Sequence, residues 1–274
     1  MTATHPPIAL TPTAAAASPP TTSPLPHIIA VTSGKGGVGK TFVSANLAAA
    51  LARGGRRVLV LDADLGLANL DVVLNLFPKI TLHDVFTGKS ALADAIVPAP
   101  GGFSVLLAGS GMVEYSRMTP EVRAQLQAVI DGVGPRFDHV LLDTGAGISD
   151  VVLYTVSLAG QVLIVATPEP TSLTDAYATI KVLAGSQGRR RFGLVINQTR
   201  KPGEGRAVRQ QLQQVVDRFV NPGLDSPVRL ELLGEIPTDP AVRDCVQRRQ
   251  LLLESLPGTA AALAIANLAA RIQS

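Results

Sequence analysis

The segment Gly34-Lys35-Gly36-Gly37-Val38-Gly39-Lys40-Thr41 constrains this chain more than any other. It satisfies the pattern G-x-x-x-x-G-K-[ST], with an apolar run (Ile28–Thr32) before it and a helix-forming run (Lys40–Arg53) after it. Glycine lets the backbone curl until its N–H groups converge on one centre, and a helix N-terminus adds partial positive charge there. The result is a cradle for the phosphates of a nucleoside triphosphate. Lys40 is expected to reach the β- and γ-phosphates, and the Thr41 hydroxyl to bind Mg²⁺.

Apolar runs of strand length recur through the body of the chain: Ile28–Thr32, Val58–Asp62, Phe103–Leu107, His139–Asp143, Gln161–Ala166 and Phe192–Asn197. Between them lie helix-length stretches, among them Lys40–Arg53, Glu121–Ile130 and Gly205–Val220, whose apolar residues recur at three- and four-residue steps. Alternating helices and non-alternating apolar strands predict an α/β fold of the P-loop NTPase type. It is a three-layer αβα arrangement with a mostly parallel, twisted sheet of about seven or eight strands and helices on both faces. With 46% hydrophobic but only 4% aromatic residues, the core has to be aliphatic. No linker divides residues 28–274, so they are expected to form one domain. Residues 1–27 are rich in Pro, Ala and Thr and hold seven of the twenty prolines, which predicts a disordered leader.

A single cysteine, Cys245, excludes an internal disulfide and a thiolate metal cage. The formal charge of +3 permits contact with nucleic acid or anionic lipid without demanding it. No apolar run reaches the roughly 18 residues of a bilayer span. Residues 1–27 carry no Lys or Arg to start a signal peptide. A cytoplasmic protein is expected, with any membrane attachment peripheral.

Further polar residues stand at strand ends, where ligands of parallel sheets gather. Asp62 and Asp64 end one run, and alternation would aim only one of them inward. Asp143, followed by Thr144-Gly145-Ala146-Gly147, suits a carboxylate that holds Mg²⁺ through water. Asn197 carries an acceptor and two donors, which suits the edge of an adenine ring or simply a turn. Pro237, Thr238 and Asp239 form a rigid loop that could pack over that ring. Lys35 is either a solvated charge on a tight turn or a mobile cation that points towards a second nucleotide.

These blocks in order (GKGGVGKT at 34–41, LDADLGLANLD at 61–71, LLDTGAGIS at 141–149, TPEPTSLTDAY at 167–177 and LLGEIPTDPAVRDCV at 232–246) resemble the MinD/ParA class of deviant Walker ATPases. Within that class the chain most resembles the MinD-like flagellar regulators of the FlhG (FleN, YlxH) branch. The resemblance implies an ATP-bound face-to-face homodimer and an ADP-bound or empty monomer, a switch with slow ATP hydrolysis that controls flagellar number and placement. It implies that Lys35 contacts the partner subunit's phosphates and that Asp64 positions the attacking water. Asp62 would lie near the metal, and Asp143 would hold Mg²⁺ through water. Glu169 would contact nucleoside across the dimer, and Asn197 with Pro237–Asp239 would hold adenine. Gly34, Gly36, Gly37, Val38 and Gly39 would cradle phosphate with Lys40 and Thr41.

Partners implied by the resemblance are the flagellar GTPase FlhF, the transcription regulator FleQ or basal-body proteins, with the protein at the inner face of the membrane at the cell pole. Two departures stand out. The terminal segment 258–274 is Ala-rich with one cation, Arg271, so it is either a packing helix or a weak membrane contact. The leader has neither Gln nor Arg, so it lacks the short motif by which flagellar-branch members stimulate FlhF. The main alternative is a ParA-type partition or positioning ATPase that binds DNA non-specifically through Arg189, Arg190, Arg191, Arg206, Arg209, Arg218, Arg243, Arg248 and Arg249. One cysteine argues against an iron–sulfur carrier, and the placement of Tyr115, Tyr154 and Tyr177 against a tyrosine autokinase.

Overall fold

Continuous apolar runs need burial on both faces, and the central strands receive it. Residues Ile29–Val31, Val58–Leu61, Val140–Leu142 and Val162–Ala166 are all buried. The computed structural model describes residues 25–66, 68–109, 115 and 117–273. Most of the leader expected to be disordered, residues 1–24, lies outside them.

Eight strands form one sheet: β1 (His27–Ser33), β2 (Val58–Ala63), β3 (Ile96–Pro98), β4 (Ser104–Leu106), β5 (His139–Ala146), β6 (Gln161–Ala166), β7 (Arg191–Thr199) and β8 (Arg229–Pro237). Their spatial order is β3-β4-β2-β5-β1-β6-β7-β8. Every pairing is parallel except that of β3 with β4. The helices are α1 (Lys40–Arg53), α2 (Leu70–Leu74), α3 (Leu82–Phe86), α4 (Leu92–Ala95), α5 (Pro120–Val133), α6 (Asp150–Ser157), α7 (Pro170–Ser186), α8 (Glu204–Phe219), α9 (Pro240–Gln247), α10 (Leu252–Ser255) and α11 (Ala260–Gln273).

Alternate residues of the strands feed two cores. Leu59, Leu142, Ile164 and Leu194 meet Leu126 of α5, Val156 of α6, Ile180 of α7 and Leu212 of α8 on one face. Val60, Leu141, Leu163 and Val195 meet Val43 and Leu47 of α1 and Ile265 and Leu268 of α11 on the other. The three-layer αβα sandwich expected from the sequence is thus present.

The six expected runs correspond to β1, β2, β4, β5, β6 and β7. The remaining two strands are edges. In β8, which pairs only with β7, Arg229 and Glu231 are exposed while Leu230 between them is buried, and the register shifts near Leu232 and Leu233. There Arg271 Nη1 donates to the carbonyls of Leu232 (3.0 Å) and Leu233 (3.3 Å). A bulge and a capping cation both deter pairing with a foreign strand.

That arginine belongs to α11, the expected terminal helix. Its Ala261, Ala262, Ile265, Leu268, Ala269 and Ile272 are buried within the fold, and of its larger apolar residues only Leu263 is exposed. The apolar face of α11 is core.

Candidate functional site

The parallel arrangement places the C-terminal ends of β1, β2, β5 and β7 along one rim, with the loop 34–39 at its centre. Ser33 opens the loop by donating from Oγ to the Lys35 carbonyl at 2.7 Å. Gly37 and Gly39 have φ of 78° and 93°, the left-handed region where a side chain is strained. A Cβ on Gly36 or Gly37 would meet nothing within 4 Å, so the inside of the curl is open. One on Gly39 would sit 2.5 Å from Asn197 Nδ2, and one on Gly34 would run into the backbone of Asp175 in α7. Two of the loop's glycines are thus close-approach positions.

Beside the open curl lies a cleft of ≈ 660 Å³, lined by Gly36, Gly37, Gly39, Lys40, Thr41, Asp64, Asn69, Thr144 and Gly145 among others. Lys40 opens α1 at its floor. Burial lowers the pKa of its ammonium, and the carboxylates of Asp143 and Asp64 oppose that shift. Asp143 lies in the buried part of β5, which runs on through Thr144 and Gly145, and is itself 3% exposed. Burial raises its pKa to about 6, against hydrogen bonds from the Thr41 and Ser44 hydroxyls and the charge of Lys40. Ser44 Oγ donates to Asp143 Oδ1 at 2.8 Å.

The two carboxylates at the end of β2 do have different surroundings. Asp62 is buried, and it accepts the backbone N–H groups of Asp64 (3.2 Å) and Leu70 (3.3 Å), which ties down the loop between β2 and α2. Burial and the Asp143 charge push its pKa well above the usual carboxylate range. Asp64 is half-buried and faces the cleft, 3.4 Å from where a Cβ on Gly145 would sit.

Among the described residues no group of three or more His, Cys, Asp or Glu could cage a metal by itself. The oxygens of Thr41 and Asp143 beside a phosphate cradle fit Mg²⁺, which takes one or two protein oxygens and completes its shell with water and phosphate.

Five residues expected at the nucleotide, Asn197, Asp239, Lys35, Glu169 and Thr238, make contacts within the protein here. Asn197 Nδ2 donates to the Val38 carbonyl at 2.8 Å, and its Oδ1 accepts from Gln198 N at 2.9 Å. It clamps the phosphate loop to β7. Asp239 accepts from Ala241 N (3.0 Å) at the start of α9 and from Ala261 N (3.2 Å) at the start of α11. Lys35 Nζ lies 3.3 Å from Glu169 Oε2 and 3.0 Å from Thr171 Oγ1, within its own subunit. Pro237 ends β8, and exposed Thr238 donates its N–H to the Thr199 carbonyl at 2.8 Å. Two smaller hollows flank them. One, of ≈ 450 Å³, touches Glu169, Gln198, Arg200 and Thr238; the other, of ≈ 380 Å³, touches Arg200, Glu235 and Pro237.

Ser44, Thr171 and Arg200 were not legible as site residues. Ser44 is one small residue in an Ala-rich helix, and the other two reach the rim only through the fold.

The family model for the CobQ/CobB/MinD/ParA nucleotide binding domain matches residues 29–252. Antiactivator FleN of Pseudomonas aeruginosa is 44% identical over 248 residues, covering 90% of this chain and 86% of that protein. The flagellum site-determining protein YlxH of Helicobacter pylori is 35% identical over 230 residues, covering 84% and 76%. The cell division ATPase MinD of Pyrococcus furiosus superposes with a TM-score of 0.73 at 30% identity, covering 90% of this chain and 98% of that one. MinD of Pyrococcus horikoshii, solved with Mg-ADP, gives a TM-score of 0.73 at 29% identity, covering 90% and 96%. The span matched by the family model holds the open glycine curl, Lys40 and the carboxylates at the strand ends, and the chain belongs to the MinD/ParA family of nucleotide-binding ATPases.

Proposed function

We propose that this protein is a Mg-ATP-dependent dimerising switch, a slow ATPase that controls flagellar number or placement. The observation that carries the catalytic part is the convergence of Lys40, Asp64 and Asp143 under an open glycine curl. Similarity to YlxH and FleN supports the flagellar part.

Each side chain has a task that its position allows. Lys40 and the loop N–H groups hold the β- and γ-phosphates. Thr41 can offer an oxygen lone pair to the metal while its O–H still donates to Asp143. Bound Mg²⁺ supplies charge neutralisation on the phosphates. Asp64 accepts a proton-side contact from the attacking water and orients it. Asp62, pinned to the N–H groups of Asp64 and Leu70, couples any shift of that loop to α2. No arginine lines the cleft among the described residues, consistent with slow turnover.

Lys35 is the part that senses a second copy. Its contact with Glu169 is solvated, with side chains 39% and 59% exposed, so releasing it costs under about 1 kcal/mol. A freed Lys35 compensates the charge of two facing triphosphates, and this ties the dimer to the γ-phosphate. The nucleoside would occupy the hollows lined by Glu169, Pro237 and Thr238, where Gln198 and Thr238 are the chain neighbours of Asn197 and Asp239.

The flagellar GTPase FlhF, the regulator FleQ or basal-body proteins are the partners proposed for the ATP dimer. No helix among the described residues is long and apolar enough to cross a membrane. Peripheral contact at the cell pole through α11 would have to use Leu263 or undock a buried face.

Two of the nine arginines invoked by the partition reading are engaged within the fold, which weakens that reading. Arg189 donates to the carbonyls of Val156, Ser157, Ala159 and Gly160, and Arg190 to that of Ala184. The test is to delete the gene in its host and count flagella by electron microscopy. Restoration by the wild type and not by Lys40→Ala is expected; an unchanged count in the deletion strain refutes the reading.

A further inference from the structure

Ser44 sits on α1, three residues after Thr41, so the two hydroxyls share one face of the helix and look towards the end of β5. Ser44 is 0% exposed and is flanked by Val43 and Ala45, both fully buried. A serine inside a helix usually returns its proton to the carbonyl four residues back. This one reaches across the layers to Asp143 Oδ1, 99 residues away in sequence, at 2.8 Å. We infer that Ser44 is a positioning residue for the metal-side carboxylate: it occupies Oδ1 and leaves the second oxygen of Asp143 for the hydration shell of Mg²⁺. The inference rests on the proposed metal role of Asp143.

The physical reason is rotational. The terminal torsion of an aspartate is broad and roughly two-fold, so an unanchored carboxylate presents either oxygen over a range of angles. Thr41 also donates to Asp143, but the same hydroxyl is shared with the metal, so its direction follows the ion rather than fixing the carboxylate beforehand. A second donor that never touches metal or phosphate can. Ser44 fits this role, since a fully buried hydroxyl on a rigid helix keeps one direction with or without ligand. A purely structural hydroxyl, by contrast, would only satisfy a buried acceptor, and its loss would weaken the fold without touching the ion.

The full-length protein is titrated with Mg²⁺ in the presence of a fluorescent ADP analogue, and separately with that analogue in EDTA. For Ser44→Ala the expected result is an EDTA affinity within about twofold of wild type and a Mg²⁺ half-saturation raised about tenfold, the scale of one charge-assisted hydrogen bond. Ser44→Thr keeps the hydroxyl and restores the wild-type Mg²⁺ curve. Asp143→Ala removes the Mg²⁺ enhancement altogether. Should Ser44→Ala fail to fold, Ser44→Cys, of similar size and a weak donor, carries the same comparison.

A wild-type Mg²⁺ curve for Ser44→Ala, with the enhancement lost in Asp143→Ala, overturns the role of Ser44 and leaves that of Asp143 standing. Equal losses with and without Mg²⁺ overturn it too, because they mark general packing. An intact enhancement in Asp143→Ala overturns both.

Discussion

The carboxylate of Asp239 gives the sharpest division between a structural and a ligand-contacting role. Its Oδ1 accepts the N–H of Ala241, and its Oδ2 accepts that of Ala261. Both are N-terminal amides of helices, α9 and α11, which have no intrahelical acceptors of their own. Replacing an aspartate cap by alanine costs about 1 kcal/mol per helix. Asp239→Ala therefore costs about 2 kcal/mol in the nucleotide-free protein, a fall in Tm of about 4 °C for a domain of this size. Asp239→Asn keeps one acceptor but turns N–H towards the other amide, so it recovers about half of that loss. Differential scanning calorimetry without nucleotide gives the numbers, and amide exchange shows where they arise. The first turn of α11 should exchange faster in Asp239→Ala, while the centre of β1 stays protected. An unchanged Tm together with a collapsed ADP affinity would refute the capping argument and mean that the carboxylate touches nucleoside directly.

Asp143→Asn should stabilise the nucleotide-free protein at neutral pH while abolishing ATP hydrolysis. The folded-state pKa of Asp143 is raised from 3.8 to about 6, so its contribution is fully present below about pH 4 and is lost as pH rises through 6. That loss, on the order of 2–3 kcal/mol, should disappear from the urea stability of the asparagine variant between pH 4 and 7. Leu268→Ala in α11, at a position with no exposure, should cost about 3 kcal/mol in urea unfolding, whereas Leu263→Ala should cost little. Glu169→Gln removes the carboxylate that holds Lys35 in its own subunit, and sedimentation should then find the ATP dimer at lower protein concentration. Lys40→Ala should lose ATP binding or hydrolysis outright, as read by a fluorescent ATP analogue and phosphate release.

What the sequence revealed follows its local physics. The phosphate loop and α1 were legible because a glycine pattern between an apolar run and a helix run has few alternative folds. The buried strands were legible for the same reason: β1, β2, β5, β6 and β7 are apolar without alternation. β8 was not, since an edge strand keeps Arg229 and Glu231 in solvent and interrupts its apolar run with Gly234 and Glu235. The sequence of the terminal helix fits packing and membrane contact alike, because an Ala-rich amphipathic face serves either. Only tertiary structure puts it on β8 and α1. In the site, Lys40, Thr41, Asp64 and Asp143 could be nominated from their place at strand and helix ends. The tasks of Asn197 and Asp239 could not, because a clamp on Val38 and a double helix cap depend on residues far away in the chain. Ser44 is illegible for the same reason, since its acceptor Asp143 lies 99 residues away.

In the proposed switch, the third phosphate is reported from one copy of the chain to another. Analytical ultracentrifugation of Asp64→Ala, which should bind but barely hydrolyse ATP, measures it most directly. A dimer with Mg-ATP, a monomer with Mg-ADP, and a monomer with Mg-ATP once Lys35→Ala is added would bear the account out. One sedimentation coefficient across all three samples would contradict it.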